Sequence, residues 1–317
     1  MAVNNNAGAV FLMLSTLARA RKVAISRGEL VEIGGSFRVP EIMEQSGAEL
    51  MEIGTTNKTH LSDYRKAVAA GATVLLKVHT SNFIMTGFTE SVEIAELKGL
   101  AAESGALVLY DLGSGFLFPS EALGLHEGQT AGKCLRDGAD VVCFSGDKLL
   151  GSAQAGILVG RRELIAQIKR NPLTRMLRID KLSLAALELA LRYSKDTALA
   201  RERIPALRML SMTESECREA ACQLEARLRA AAPGVETQVV ATEDEAGGGS
   251  LPGVTLPGAA VAVTVGGLAP AELEAKLRAR TVPIIARISR DSVLLCARTL
   301  SEGDGAEVAA AVAEVLR

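Results

Sequence analysis

The chain has 317 residues, 48% of them hydrophobic and 23% charged, enough to bury a large core and, on length alone, to form about two domains. A formal net charge of -2 excludes a surface coated in positive charge, although a local basic patch fits within it. Tryptophan is absent and aromatic residues make up 3%, which argues against a nucleic-acid site built on aromatic stacking.

From the N-terminus, Gly8 to Ala18 reads as helix, Lys22 to Ser26 as strand, Ser36 to Ser46 as helix and Glu49 to Ile53 as strand. Ser62 to Ala70 (helix), Thr73 to Val78 (strand), Ser91 to Ser104 (helix) and Ala106 to Tyr110 (strand) continue the alternation, followed by strands at Asp140 to Phe144 and Gly156 to Val159. This order predicts an α/β fold, a mostly parallel sheet flanked by helices on both faces. Leu182 to Ser194 is a long Ala- and Leu-rich helix leaving the first domain, and Arg201 to Ala232 reads as further helix. The run from Gly247 to Gly253 breaks the pattern, either as a flexible linker or as an ordered loop. Ala259 to Val265 (strand), Pro270 to Arg280 (helix), Ile284 to Ser289 and Ser292 to Ala297 (paired strands) and Gly305 to Leu316 (helix) then form a smaller C-terminal α+β domain. The expected division is residues 1–195 and 196–317.

Apolar runs are short and interrupted by Gly or charge, and no basic stretch with an apolar block opens the chain, so a soluble, cytoplasmic protein is expected. Cys134, Cys143, Cys217, Cys222 and Cys296 are odd in number and lack metal-like spacing, so they read as thiols and no metal site is expected.

Two strand ends carry chemistry. Ala106 to Tyr110 runs directly into Asp111-Leu112-Gly113-Ser114-Gly115, and Asp140 to Phe144 runs into Ser145-Gly146-Asp147-Lys148. In a parallel sheet, ligands bind beyond the carboxyl ends of the strands, where both motifs and His79 to Asn82 fall. An acid at one strand end and a lysine at another is the pairing that pyridoxal phosphate (PLP) needs: the acid keeps the pyridine nitrogen protonated, and the lysine holds the cofactor as an imine. Lys148 alone would read more readily as a solvated loop residue than as a catalytic one. Asn4, Asn5 and Asn6 lead into the first helix, whose start suits either a phosphate or simple N-capping, and Ser145 offers a hydroxyl to the same phosphate. Helix after Pro172 would place Arg175 and Arg178 on one face, either to grip a tetrahedral oxyanion or as a solvated basic surface. His79 reads as a structural hydrogen-bonder or as a group of the site; His60 and His126 read as loop residues.

These segments carry a resemblance. Val3 to Ala7, Ser26 to Arg38, Gly54 to Asn57, Lys77 to Asn82, Asp111 to Gly115, Ser145 to Gly151, Asn171 to Lys181 and Gly248 to Pro252 together resemble bacterial selenocysteine synthase, the L-seryl-tRNA(Sec) selenium transferase family. The resemblance implies fold type I PLP architecture. It assigns the cofactor linkage to Lys148, the pyridine nitrogen to Asp111, the phosphate to Asn5, Asn6 and Ser145, the ring face to His79, the phenolic oxygen to Asn82, and selenophosphate to Arg175 and Arg178. It also implies β-elimination of hydroxide from the seryl group of seryl-tRNA(Sec), followed by selenium addition.

Family members carry a long segment before the Asn-rich helix, including a tRNA-binding domain and a stretch that completes the catalytic cleft. Only Met1-Ala2-Val3 stand there in this chain, so the resemblance implies an N-terminally shortened member whose tRNA binding is in question. The family assembles as homo-oligomers built from dimers. Two rivals stand beside it: a related PLP lyase acting on a small amino acid or amino-sugar acid, and a non-catalytic remnant that binds PLP or a partner subunit.

Overall fold

The computed structural model describes residues 1–35, 37–125, 129–247, 249–301 and 303–316. Ser36, expected to open the second helix, His126, read as a loop residue, and Gly248 of the Gly-rich motif lie outside the described residues. The chain forms two compact units, Met1–Arg208 with Gly247–Val254, and Met209–Ala246 with Thr255–Arg317.

In the first unit the strands are β1 (Ala2–Val3), β2 (Lys22–Ser26), β3 (Glu32–Ile33), β4 (Phe37–Arg38), β5 (Glu49–Ile53), β6 (Ala72–Val78), β7 (Leu107–Gly113), β8 (Val141–Ser145) and β9 (Gly156–Gly160). β3 and β4 form a separate hairpin; the other seven make one sheet in the order β1-β9-β8-β7-β6-β2-β5. β5, β2, β6, β7 and β8 run parallel, β9 runs against them, and β1 at the edge pairs antiparallel with β9. Helices α1 (Asn6–Leu17), α2 (Val39–Ser46), α3 (Leu61–Ala69), α4 (Ile94–Ser104), α5 (Ala131–Asp137), α6 (Arg162–Arg170), α7 (Leu173–Met176), α8 (Lys181–Tyr193) and α9 (Thr197–Arg203) accompany it.

Both faces of the sheet are buried, which explains the near-continuous apolar strands. Successive strand residues alternate between two cores. Leu75, Val108, Tyr110, Val142 and Phe144 pack with Ala67, Leu97 and Leu100 of α3 and α4. Val74, Leu76, Leu109, Val141 and Cys143 pack with Leu12, Met13, Met43 and Ile168 of α1, α2 and α6. The alternation along β7 sends Leu109, and therefore Asp111, to the α1 face.

α2 starts at Val39 rather than at Ser36, because Phe37 and Arg38 pair with Ile33 and Glu32. The helix expected over Arg201 to Ala232 is three helices. Pro205, which has no N–H to continue α9, opens α10 (Pro205–Ser211), and Thr213 caps α11 (Glu214–Ala231) with a reciprocal Thr213/Glu216 capping box.

The second unit carries β10 (Val235–Glu245), β11 (Thr255–Val265), β12 (Arg287–Ser289) and β13 (Ser292–Cys296), an antiparallel sheet in the order β10-β11-β13-β12. Its core joins Val261, Val263, Val293 and Leu295 to Leu224 and Leu228 of α11, Leu273 and Leu277 of α12 (Pro270–Arg278), and Val308 and Val312 of α13 (Asp304–Val315). The buried Arg298 donates to Asp244 and to the carbonyls of Met209, Met212 and Pro257. Among the described residues, no helix is long and apolar enough to cross a membrane.

The start of α1 reaches the sheet because β9 offers it a glycine. A Cβ at Gly156 would lie 2.1 Å from the Asn5 carbonyl oxygen and 2.8 Å from the Ala9 Cβ. Gly156→Ala is expected to destabilise the protein by about 1–3 kcal/mol in urea denaturation, the usual penalty for overpacking; an unchanged midpoint would contradict this close approach.

Candidate active site

Asp111 is 1% exposed, on the central strand β7, opposite Val78 of β6 and Cys143 of β8. Past it the β7–β8 pairing shifts by one residue, and Gly113 takes φ +63°, a left-handed conformation that glycine adopts without strain. That turn brings the Gly113 N–H back to Asp111 Oδ1 at 3.0 Å. The same oxygen accepts from Asn6 Nδ2 at 2.9 Å and faces the Cys143 thiol at 3.7 Å. Among the described residues, no hydrogen bond reaches Oδ2. Burial pushes the carboxyl above its ordinary range, while the Asn6 and Gly113 donors and the Lys148 charge pull it back part of the way.

His79 follows β6, and its backbone N–H donates to the Asp111 carbonyl at 2.9 Å. Burial, then the charges of Lys77 and Lys148, hold the imidazole below its ordinary value and so favour the neutral ring. The strand end beneath it is anchored by Glu29, which accepts from Lys77 Nζ at 2.7 Å and from the Val78 N–H at 3.1 Å, with both charged side chains buried. A polar cavity of ≈ 240 Å³ adjoins this pair and reaches His79, Tyr110 and Gln129.

Lys148 sits in the turn after β8. Gly146 N–H donates to the Ala155 carbonyl at 2.8 Å, and Gly151 N–H to the Lys148 carbonyl at 2.8 Å, which closes the loop through backbone. Among the described residues, the Lys148 ammonium has no hydrogen bond or ion pair. It lies against Gly249, where a Cβ would be 3.3 Å from Nζ. The Gly247–Val254 segment therefore belongs to the first unit as a loop packed at the lysine, not as a free linker.

The structure thus brings Asn6, His79, Asp111 and Lys148 together. Ser145, the last residue of β8, is buried and donates its hydroxyl to Asp147 at 2.6 Å. Asn5 caps α1, its Oδ1 accepting from the Gly8 N–H at 2.8 Å. Asn82 is exposed and its amide donates to the Glu32 carbonyl at 2.8 Å, which ties it to the β3–β4 hairpin.

Arg175 lies in α7, but that helix ends at Met176, so Arg178 falls beyond it and the expected shared helical face does not exist. Asp180 begins α8 two residues later by capping Leu182 and Ser183. Both arginines are exposed, and neither has an ion pair among the described residues. Between them the Leu177 carbonyl accepts from the Asn4 N–H at 2.9 Å, which holds this segment against the start of α1.

Ser81 and Ser114 escaped the sequence reading. Both are buried, and among the described residues their hydroxyls, like Asn6 Oδ1, have no partner. Ser81 Oγ stands 3.3 Å from where a Gly113 Cβ would be, beside the acid. Buried polar atoms are normally satisfied, so the orphans of Asn6 and Ser81 beside the acid fit a polar group docked there. The only signal of the two serines in the sequence is a small polar residue shortly past a strand end, Ser114 directly after β7 and Ser81 three positions after β6.

A buried acid with one free oxygen and an uncommitted lysine, at the carboxyl ends of neighbouring parallel strands, define the fold type I class of PLP-dependent enzymes. Consistent with that architecture, the chain superposes on D-glucosaminate-6-phosphate ammonia-lyase with a TM-score of 0.65 at 19% identity, covering 99% of this chain and 81% of that one. Within the class, the family model for L-seryl-tRNA selenium transferase matches residues 1–301, and the chain belongs to that family. It is 48% identical over 316 residues to the L-seryl-tRNA(Sec) selenium transferase of Geobacter sulfurreducens, covering 99% of this chain and 68% of that protein. It is likewise 48% identical over 318 residues to that of Moorella thermoacetica, covering 100% and 67%.

The raised Asp111 carboxyl has a measurable sign. A folded-state value above the ordinary 3.8 gives stability that is present below that value and lost as pH rises through the folded one. Cofactor-free Asp111→Asn is therefore expected to unfold at higher urea than the parent at neutral pH, with the gap closing as pH falls below about 4. A variant less stable than the parent at neutral pH would contradict the burial cost.

Proposed function

We propose that this chain is the catalytic part of a selenocysteine synthase: it converts the seryl group of seryl-tRNA(Sec) to a selenocysteyl group with PLP as cofactor and selenophosphate as selenium donor. The observation that carries the reading is 48% identity to curated L-seryl-tRNA(Sec) selenium transferases across nearly the whole chain. The lyase alternative rests on a likeness of 19% identity, which speaks to the fold alone.

When bound, PLP supplies an electron sink for the charge developing at the amino acid α-carbon. The residues of the chain do the rest. Lys148, without a hydrogen bond or ion pair among the described residues and pressed against Gly249, would hold the cofactor and move the α-proton at Nζ. Asp111 holds the proton on the ring nitrogen through the oxygen left unbonded. His79, whose neutral form is favoured by burial and by two nearby cations, would flank the ring without adding positive charge. The N–H groups at the start of α1, that of Asn6 among them, would hold the phosphate together with Asn5 and Ser145, while the Asn6 side chain stays on Asp111. For Ser145 to donate there, its hydroxyl must rotate away from Asp147. Asn82 reaches the phenolic oxygen only by leaving Glu32.

Arg175 and Arg178, exposed on either side of Leu177 and without an ion pair among the described residues, take the selenophosphate anion. Because the seryl carboxyl is esterified to tRNA, no arginine is needed for a free α-carboxylate, which leaves this pair to the donor. The enzyme acts in the cytoplasm as a homo-oligomer built from dimers. Exposed apolar side chains, among them Phe88, Met176 and Leu182, support assembly.

Turnover of seryl-tRNA(Sec) by Lys148→Ala is expected to fall roughly 10²–10⁴-fold, the usual contribution of a positioned acid–base group. Arg175→Ala or Arg178→Ala is expected to raise the KM for selenophosphate about tenfold, with little change in the affinity for PLP. Selenium-transfer assays over a range of donor concentrations check both. Unchanged KM values would remove the arginines from the donor site.

A further inference from the structure

Asn6 opens α1, where its sequence context places it toward an anion. Its side chain turns inward instead, and Nδ2 donates to Asp111 Oδ1 at 2.9 Å across 105 residues of chain. Only the amide nitrogen can face a carboxylate, so chemistry fixes the orientation of the group. We propose that Asn6 is a positioning residue for Asp111: its amide keeps the buried carboxylate ionised and leaves Oδ2 free for the cofactor nitrogen. The second half of this inference rests on the PLP reading given above.

The donors at Asp111 are few. The Gly113 N–H is set by the backbone, and the Cys143 thiol at 3.7 Å is a weak donor. Asn6 therefore supplies the strong side-chain hydrogen bond. The other groups around the acid are Lys148 from the turn after β8, whose charge favours ionisation, His79 at the end of β6, held neutral, and Tyr110 and Cys143, whose own ionisation burial opposes. Of the side chains facing the acid, Asn6 alone assists the carboxylate as a neutral group at normal hydrogen-bond distance.

Two observations set this apart from helix architecture. Capping of α1 is done by Asn5, so alanine at position 6 would serve the helix equally well. The Asn6 amide also leaves its own Oδ1 buried without a partner, an arrangement that a purely stabilising residue would avoid.

The test begins with cofactor-free protein. Difference infrared spectra against Asp111→Asn isolate the carboxyl stretch of Asp111, and a pH titration gives its ionisation midpoint. Asn6→Ala is expected to move that midpoint upward and to weaken PLP binding at neutral pH about tenfold in a spectral titration, the scale of one charge-assisted hydrogen bond. Asn5→Ala removes the helix cap and leaves the Asp111 midpoint in place. If Asn6→Ala does not fold, Asn6→Asp replaces the donor with a second carboxylate at equal size, and the upward shift is expected to be larger. An unchanged midpoint in a folded Asn6 variant, or an equal shift in Asn5→Ala, would overturn the proposal. A shifted midpoint in protein that forms no PLP complex would support the coupling of Asn6 to Asp111 and overturn the cofactor reading instead.

Discussion

The buried carboxylate of Asp111 is the constraint around which the first unit is arranged. A charge at 1% exposure is tolerable only when donors surround it, and each donor comes from a different part of the chain. Asn6 comes from the start of α1, Gly113 from a left-handed turn just past the acid, and Cys143 from the neighbouring strand. Satisfying one oxygen ties the first helix to the middle of the sheet. Among the described residues no hydrogen bond reaches the other oxygen, and the proposed cofactor role rests on this asymmetry.

The remainder of the site follows from how parallel strands end. β6, β7 and β8 are neighbours with a common direction, so His79, Asp111 and Lys148 emerge on one edge without any loop having to travel. The Glu29–Lys77 pair secures the end of β6 beneath His79, and glycine at positions 151 and 156 admits close packing of the flanking segments. A Gly151 Cβ would meet Ile204 at 2.5 Å. Stability is spent locally at this edge: an acid whose carboxyl is pushed upward, an imidazole held neutral, and polar atoms without partners among the described residues are all costs to the fold. They are the expected signature of a site whose stabilising partner is a ligand.

Much of this was legible in the sequence because the signals were local. β2 and β5 were expected residue for residue, and Asp111 and Lys148 stood out as polar residues placed where buried strands stop. The signals that failed were those whose meaning depends on distant partners. β10 is half exposed and carries charge along its length, so its pairing with β11 left no apolar alternation to read. Arg175 and Arg178 were placed on one helix face by spacing, but the capping of α8 by Asp180 ended that possibility. Asn6 was read from its neighbours as facing a phosphate or capping the helix, and the bond of its side chain to a carboxylate 105 positions away left no local signal. Ser81 and Ser114 gave no periodic or motif signal, since an unpaired hydroxyl is visible only once the packing around it is known.

The central claim is that Lys148, and no other lysine, carries the cofactor beside Asp111. The most direct measurement is peptide mapping by mass spectrometry after incubation with PLP and reduction with borohydride. The account predicts a single pyridoxyl-modified peptide containing Lys148, lost when Asp111→Asn weakens retention of the cofactor. Modification at Lys58 or Lys77, which line the neighbouring cavity, or a scatter over surface lysines with Lys148 unmodified, would contradict it.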